Sequence, residues 1–183
     1  GLSENHLHLF SGSAELDHLQ LSGIHGFEAL NGAIRDYAAA KPDEAVLFAQ
    51  GADYTILGGG ERITRHHLDR IVPDRPFAMF AHDLHTAWAN TAALELTDLL
   101  HGRELGPGNA VVMGGDGLAN GELREMEAFG PIQVAAGFDR YRLGLATGGE
   151  PDPYPSGADF EKDIAVMRRG LDYCARHGFT SLQ

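Results

Sequence analysis

Cysteine is almost absent from this sequence of 183 residues, which contains Cys174 and no other. A single cysteine excludes an intrachain disulfide, and the simplest compartment for such a chain is a reducing one. Cys174 falls on the apolar side of a predicted helix, where a buried and inert thiol is expected rather than a nucleophile. The cysteine content therefore predicts neither a disulfide framework nor thiol catalysis.

Positive charge is also scarce, since 14 Lys and Arg residues stand against 26 Asp and Glu, for a formal net charge of −12. No cluster of Lys or Arg stands out, which argues against nucleic acid or an anionic membrane as a partner. No apolar run approaches the roughly 20 residues of a membrane span, and the N-terminus has no basic segment followed by an apolar one. From these absences we expect a cytoplasmic protein.

Hydrophobic residues make up 43% of the chain and charged residues 22%, which is typical of a globular protein with a substantial core. Apolar spacing predicts an amphipathic helix over about 26–40 and a second one in which Phe160, Ile164, Met167, Leu171 and Cys174 form a stripe before Gly178. The other predicted elements are strands at 45–49, 77–80, 110–113 and 179–182, a short helix capped by Thr64, a helix from about Thr86 carrying Trp88, Ala92, Leu96 and Leu99, a helix over 122–129, and loops at 11–17, 58–60 and 147–157.

Two histidines near the N-terminus carry most of the functional information. In an extended strand side chains alternate between faces, so His6 and His8 would lie side by side with Leu7 opposite. Neutral imidazole is a common ligand of Zn and other divalent metals, and a complete site needs three or four ligands. As an isolated pattern, His-x-His is more often an edge strand with two solvated histidines than a metal site.

The context of this pair resembles the amidohydrolase superfamily, in whose first barrel strand the two corresponding histidines are metal ligands. Gly1-Leu2 opens the run and His6-Leu7-His8-Leu9-Phe10 ends it, with Glu4 where the family usually has Asp. Three later stretches resemble the large-insert branch, the third amidohydrolase family with its N-substituted formamide deformylases, and they follow the family's order: 63–65 through 74–76, 82–90 with 93–94, and 178–181.

The resemblance implies an α/β fold that is part of a metal-dependent hydrolase barrel with a large insertion. Residues 1–10 would be the first barrel strand, 11–158 an inserted α/β subdomain over the active site, and 159–183 a barrel helix with the second barrel strand. A complete barrel of this type takes about 250 residues, so this sequence accounts for its N-terminal part only.

Further site residues follow from the same resemblance. Asp83, His85, Trp88 and Asn90 match the family pattern Asp-x-His-x-x-Trp-x-Asn, which implies a substrate-pocket wall. The group is equally well explained with Trp88 as a core residue, Asn90 as a surface residue in mid-helix and His85 as a residue at the start of a helix. Glu125 resembles a metal-binding carboxylate of the family, but a glutamate near a helix N-terminus is equally well explained by the helix dipole. No catalytic residue is assigned, and the seven remaining histidines lack ligand spacing.

The implied activity is hydrolysis of an amide or formamide C–N bond in a small molecule, by water bound to a divalent metal, with Zn expected. The remaining ligands and the general base would lie outside this chain, which would then be inactive alone. Two alternatives stay open: a non-catalytic binding or oligomerisation domain with an incidental His pair, and a cupin-type metal site, which requires many alternating strands. Because barrel strands at the two chain ends would have unpaired edges, we also expect a homo-oligomer.

Overall fold

The computed structural model describes residues 1–136 and 154–183, and these form two compact units, 1–17 with 154–183 and 18–136. Both units mix helices and strands, which confirms the α/β class. Most of the loop predicted at 147–157 lies outside the described residues. In the described part of the chain, no helix has the length and apolar character needed to cross a membrane.

The first unit has two strands and two helices: β1 (Leu2–Glu4), α1 (Leu9–Glu15), α6 (Gly157–Arg176) and β8 (Phe179–Leu182). Strands β1 and β8 pair in parallel. The helices pack through a small cluster of Phe10, Ala14, Val166 and Met167. A Cβ at Gly170 would lie 2.7 Å from Ser13 Cβ, so this close contact between α1 and α6 requires glycine.

Four predictions for this unit are corrected. The strand expected over 1–10 ends at Glu4, and the loop expected at 11–17 lies mostly in helix α1. The apolar stripe is displaced, because Val166 and Gly170 are the buried residues of α6 whereas Phe160 and Leu171 are exposed. Cys174 is only half-buried. By contrast, Gly178 ends the last helix at a φ of 86°, as the sequence predicted.

The second unit is organised around a six-stranded sheet of order β2-β3-β4-β5-β7-β6. Its strands are β2 (Leu19–Gln20), β3 (Leu47–Ala52), β4 (Phe77–Ala81), β5 (Thr86–Ala89), β6 (Ala110–Met113) and β7 (Ala119–Arg124). Its helices are α2 (Phe27–Ala40), α3 (Arg65–Ile71), α4 (Thr91–Leu96) and α5 (Met126–Ala135). Strands β2, β3 and β4 are parallel, and the pairs that follow are antiparallel. This mixture of parallel strands and helices excludes a cupin architecture for the described residues.

The core of this unit lies between the parallel strands and helices α2 and α3. Leu30 and Ile34 from α2 and Leu68 from α3 are fully buried against Leu47 and Phe77 of the sheet. The helix predicted over 26–40 and the strands predicted near 45–49, 77–80 and 110–113 are confirmed. Thr64 caps α3 in a capping box whose second member is His67.

Two helices were predicted too early in the chain. Residues Thr86–Ala89 form strand β5, because Trp88 pairs with Met79 on one side and with Glu122 on the other. Helix α4 begins only after Asn90. Similarly, Glu122 belongs to strand β7, and helix α5 starts at Met126. Tertiary pairing overrides the local helical tendency of these alanine-rich and glutamate-rich segments.

Asn90 is the polar centre of this part of the core. Its side chain is fully buried, and Oδ1 accepts hydrogen bonds from the backbone N–H groups of Phe77 at 3.0 Å and Ala93 at 2.9 Å. Its Nδ2 donates to the carbonyls of Val72 and Arg75, each at 2.7 Å. One amide thus caps α4 and ties the end of α3 to the start of β4.

Replacing this side chain tests that role. Asn90→Ala leaves four buried backbone groups without partners, so we expect the free energy of unfolding to fall by about 2–4 kcal/mol. Urea unfolding followed by Trp88 fluorescence reports on the same unit. Asn31→Ala is the matched control, since that side chain accepts from Arg35 Nε on the surface of α2, and its effect should stay below about 0.5 kcal/mol. Equal effects of the two variants would contradict the assignment.

Candidate functional site

The backbone around His6 and His8 is held by the last residue of the chain. Strand β1 ends at Glu4, whose carbonyl accepts from Gln183 N–H at 3.0 Å, and Leu7 N–H in turn donates to the Gln183 carbonyl at 3.0 Å. The His6 N–H donates to Glu4 Oε1, also at 3.0 Å. The two histidines therefore follow the C-terminal end of a strand, and the residue between them is fixed by hydrogen bonding.

The two imidazoles are neighbours even though they do not belong to a strand. Their ring centroids are 5.2 Å apart with an interplanar angle of 82°, and both side chains are exposed. Their nitrogens are suitable donors for a divalent metal, and two donors make half of a tetrahedral shell. Among the residues that the structure describes, no group of three or more His, Cys, Asp or Glu side chains could hold a metal ion. The pair thus fits part of a metal site.

A second polar cluster lies in the other unit, at the turn between β4 and β5. His85 Nδ1 lies 3.1 and 3.2 Å from the two carboxylate oxygens of Glu125, and His85 N–H donates to Asp83 Oδ1 at 3.1 Å. Glu125, weighed above as a metal ligand, is thus the ion-pair partner of His85 here. This hydrogen bond and the charge of Glu125 raise the pKa of His85 above its ordinary value.

Backbone strain marks both ends of this ion pair. Leu84, next to His85, has a φ of 63°, and Glu125 has a φ of 64°, although neither residue is glycine. The Glu125 N–H also donates to the His85 carbonyl at 2.9 Å. Non-glycine residues in this conformation cost about 1–3 kcal/mol each and persist where the surrounding structure holds them. The geometry of the His85–Glu125 pair is therefore determined by the fold on both sides.

Tyr54 connects this cluster to the sheet. Its hydroxyl lies 3.2 Å from Asp83 Oδ2 and 2.9 Å from Thr86 Oγ1, and its ring packs edge-on against Trp88 at 5.2 Å. The His85 N–H and the Tyr54 hydroxyl hold the pKa of Asp83 below its usual value, so this carboxylate stays ionised. Partial burial, together with that carboxylate, raises the pKa of Tyr54, so the phenol keeps its proton at neutral pH.

A cleft of about 380 Å³ opens beside Tyr54. Its floor is one face of the antiparallel pair β5–β7, on which Thr86 lies opposite Arg124 and Trp88 opposite Glu122. The segment 60–63, which includes Arg62, forms a wall. Of the four pocket residues proposed from sequence, Trp88 lines this cleft and Asn90 is fully buried in the core. Asp83 and His85 belong to the polar cluster at the turn between β4 and β5.

Sequence reasoning missed Tyr54, Arg62, Glu122 and Arg124. The last two lie two residues apart in β7, as do Thr86 and Trp88 in β5, and such period-two spacing places each pair on one face of a sheet. If Thr86–Ala89 and Ala119–Arg124 had been recognised as strands, the sequence would have predicted which of their residues share one face of the sheet. The contribution of Tyr54 and Arg62 depends on tertiary contacts, for which the sequence carries no local signal.

The His85–Glu125 pair can be tested by titration. Glu125→Gln removes the charge that favours imidazolium, so the pKa of His85 should fall towards its ordinary value. Because the folded-state pKa is raised, the stabilisation is present at low pH and is lost as pH rises through that pKa. Nuclear magnetic resonance of the His85 ring measures the shift. Glu127→Gln, whose carboxylate instead accepts from Gly106 N–H, should leave it unchanged, and an unchanged value in Glu125→Gln would contradict the pairing.

Comparison with known proteins finds a relative named as an amidohydrolase and solved structures named as metal-dependent hydrolases. The chain is 25% identical over 192 residues to the "putative amidohydrolase YtcJ" of Bacillus subtilis strain 168, covering 97% of this chain and 35% of that protein. Its fold matches crystal structures of uncharacterized metal-dependent hydrolases from Pyrococcus horikoshii OT3 (TM-score 0.58, 20% identity) and Pyrococcus furiosus (TM-score 0.56, 19% identity). Each match covers 98% of this chain, and 29% and 30% of the respective structures.

The chain therefore spans about a third of the length of the relatives that it matches. Likeness at this level of identity shows that the fold is shared. The sequence model of the amidohydrolase family matches residues 1–183, which is the whole of this chain. On that evidence, this protein belongs to the amidohydrolase family.

Proposed function

We propose that this chain contributes the first two metal ligands of a metal-dependent amidohydrolase that hydrolyses an amide or formamide C–N bond. The observation that carries the proposal is the position of His6 and His8, whose rings are 5.2 Å apart just after the C-terminal end of a strand that pairs in parallel with β8. Active sites of parallel α/β barrels are built at that end of the strands. The names of the solved structures support a metal in this role.

The residues of this chain would prepare the site in three ways. His6 and His8 present exposed nitrogen donors. The Leu7–Gln183 hydrogen bond fixes the backbone between them, and Glu4 accepts from His6 N–H, which restricts the first histidine. His6 and His8 would hold a divalent ion, for which we propose Zn, and that ion would supply Lewis acidity for a substrate carbonyl and for a water molecule.

The complete active site would need further donors and a general base. We propose that these come from the length of the relatives that this chain does not span, and that residues 1–183 alone turn over no substrate. The unit 18–136 is proposed to be the inserted subdomain of the large-insert branch, related to N-substituted formamide deformylases. Under this proposal, the substrate is a small molecule with an amide or formamide group.

Metal titration tests the ligand assignment directly. With two strong donors, the chain should bind one Zn weakly, because a protein site needs three or four donors. His6→Ala or His8→Ala should each weaken binding by at least about 10-fold, as measured by calorimetry. His101→Ala, which removes an exposed histidine of the other unit, is the control and should leave the affinity unchanged.

Two outcomes would contradict this part of the proposal. Unchanged Zn affinity in both His6→Ala and His8→Ala would show that the pair binds no metal. Tight stoichiometric binding that disappears in His6→Ala would instead show that these residues belong to a complete site within the chain, so the number of ligands would be wrong.

The catalytic part of the proposal requires a protein of the relatives' length. There, His6→Ala should remove metal and activity together, whereas His85→Ala should lower kcat/KM with the metal content unchanged, because His85 would belong to the pocket wall. Metal analysis and kinetics on the same preparations distinguish the two. Loss of metal in a folded His85→Ala variant would move His85 from the pocket to the support of the metal site, and full activity in His6→Ala would contradict the mechanism.

A further inference from the structure

We propose that the cleft between Tyr54 and Arg124 is a binding site for a small carboxylate whose body is flat and apolar. This inference concerns the unit 18–136 and does not depend on metal binding by His6 and His8. Its volume of about 380 Å³ lies at the lower end of the range for small-molecule pockets, about 300–1,000 Å³. The occupant is therefore small.

The floor of the cleft is rigid and already in place. Trp88 is 2% exposed and is held between Met79 and Glu122 by strand pairing, with Tyr54 packed edge-on against its ring. The Tyr54 hydroxyl is fixed by Asp83 and Thr86. Tyr54 is 41% exposed, so its ring is the aromatic surface that a flat apolar group can contact. A preorganised floor lowers the entropy cost of binding.

The carboxylate of Glu122 orients the guanidinium of Arg124 at the floor of the cleft. Glu122 is almost fully buried, and its Oε1 accepts from Arg124 Nε at 2.7 Å and forms an ion pair with the Arg124 terminal nitrogen at 2.6 Å. Arg124 is thereby held in one orientation at the cleft. Glu122 acts here as a positioning residue, since its charge is balanced by the guanidinium that it holds.

Arg62 is the charged group left for a ligand. Its side chain is 78% exposed, and within the described residues its guanidinium has only a 4.0 Å contact with Glu122 Oε2, which is too long for a hydrogen bond. The other charged residue of this wall, Glu61, points its carboxylate to His67 Nε2 at 3.1 Å. The charges that line the cleft sum to zero, since there are two glutamates and two arginines: Glu61, Glu122, Arg62 and Arg124. Binding of an anion would therefore depend on hydrogen bonds from the guanidinium groups rather than on a net positive charge.

A carboxylate matches this arrangement better than an amine does. Guanidinium groups bind carboxylates through paired N–H donors, and such charge-assisted bonds are about twice as strong as neutral ones. An amine would have to compete with Arg124 for Glu122 in the immediate presence of a second arginine. The geometry therefore selects an anionic group near Arg62 and Arg124, with the apolar body against Tyr54, which is 41% exposed and lies beside the buried Trp88.

Three probes with the same benzyl body separate the possibilities: phenylacetate, its neutral isostere phenylacetamide, and the cation phenethylamine. Trp88 is the only tryptophan of the chain, so its fluorescence reports binding at the floor, and calorimetry measures the same affinities independently. Phenylacetate should bind at least about 10-fold more tightly than phenylacetamide, the equivalent of about 1.4 kcal/mol. Phenethylamine should bind most weakly.

Variants of surface arginines locate the binding site. Arg62→Gln should reduce phenylacetate affinity to that of phenylacetamide, and Arg62→Lys should retain part of the difference because the charge remains. Arg103→Gln, which removes an exposed arginine of the same unit outside the cleft, should leave the affinity unchanged. Circular dichroism checks that each variant is folded.

The contrary results are equally specific. Equal affinity for phenylacetate and phenylacetamide, tightest binding of phenethylamine, or unchanged phenylacetate affinity in folded Arg62→Gln would each overturn the proposal. So would the absence of saturable phenylacetate binding by both methods. None of these results bears on whether His6 and His8 bind Zn, so failure here and failure of the metal proposal can be told apart.

Discussion

Parallel pairing between β1 and β8 is the constraint on which the first unit depends. Leu2 N–H donates to the Gly178 carbonyl at 2.8 Å, and the ladder continues through Glu4 and Gln183 to Leu7. It brings the two ends of the described chain side by side, and it holds the backbone between His6 and His8. Because parallel strands need a crossover, the long segment between them has to return to the same sheet. The local position of the histidine pair is thus a consequence of long-range strand pairing.

The second unit depends on a comparable constraint, which is the hydrogen bonding of one buried amide side chain, Asn90. Asn90 satisfies backbone groups at the end of α3, the start of β4 and the first turn of α4. Buried backbone groups without partners are costly, so one side chain that bonds to four of them fixes where β5 stops and α4 begins. The cleft floor is the continuation of that same strand, since Thr86 and Trp88 precede Asn90 in β5.

Sequence patterns predicted the fold where local and tertiary preferences agree. The helix Phe27–Ala40 and the strands β3 and β4 follow from apolar spacing and continuous apolar runs. The hairpin β4–β5 was missed for a physical reason: its turn carries Leu84 at a φ of 63°, where glycine or asparagine would normally signal a turn. Without that signal, Thr86–Ala89 resembles the start of a helix.

In the candidate site, too, the histidine pair joined by a local sequence pattern was predicted, and the residues brought together by tertiary contacts were missed. His6 and His8 are two positions apart in the sequence and their rings are neighbours in space, so their pattern was sufficient to find them, although the strand expected to present them ends at Glu4. The cleft combines Tyr54, Arg62, Glu122 and Arg124 from separate segments. Period-two spacing joins Glu122 to Arg124, but no local pattern joins them to Tyr54 or Arg62, and only the strand order β4-β5-β7 brings β5 and β7 together.

Anomalous diffraction from a Zn-soaked crystal tests the central claim most directly. The account predicts a Zn peak at about 2.0–2.1 Å from one ring nitrogen of His6 and one of His8. A Zn peak at His85 and Glu125, with His6 and His8 bound to no metal, would contradict it.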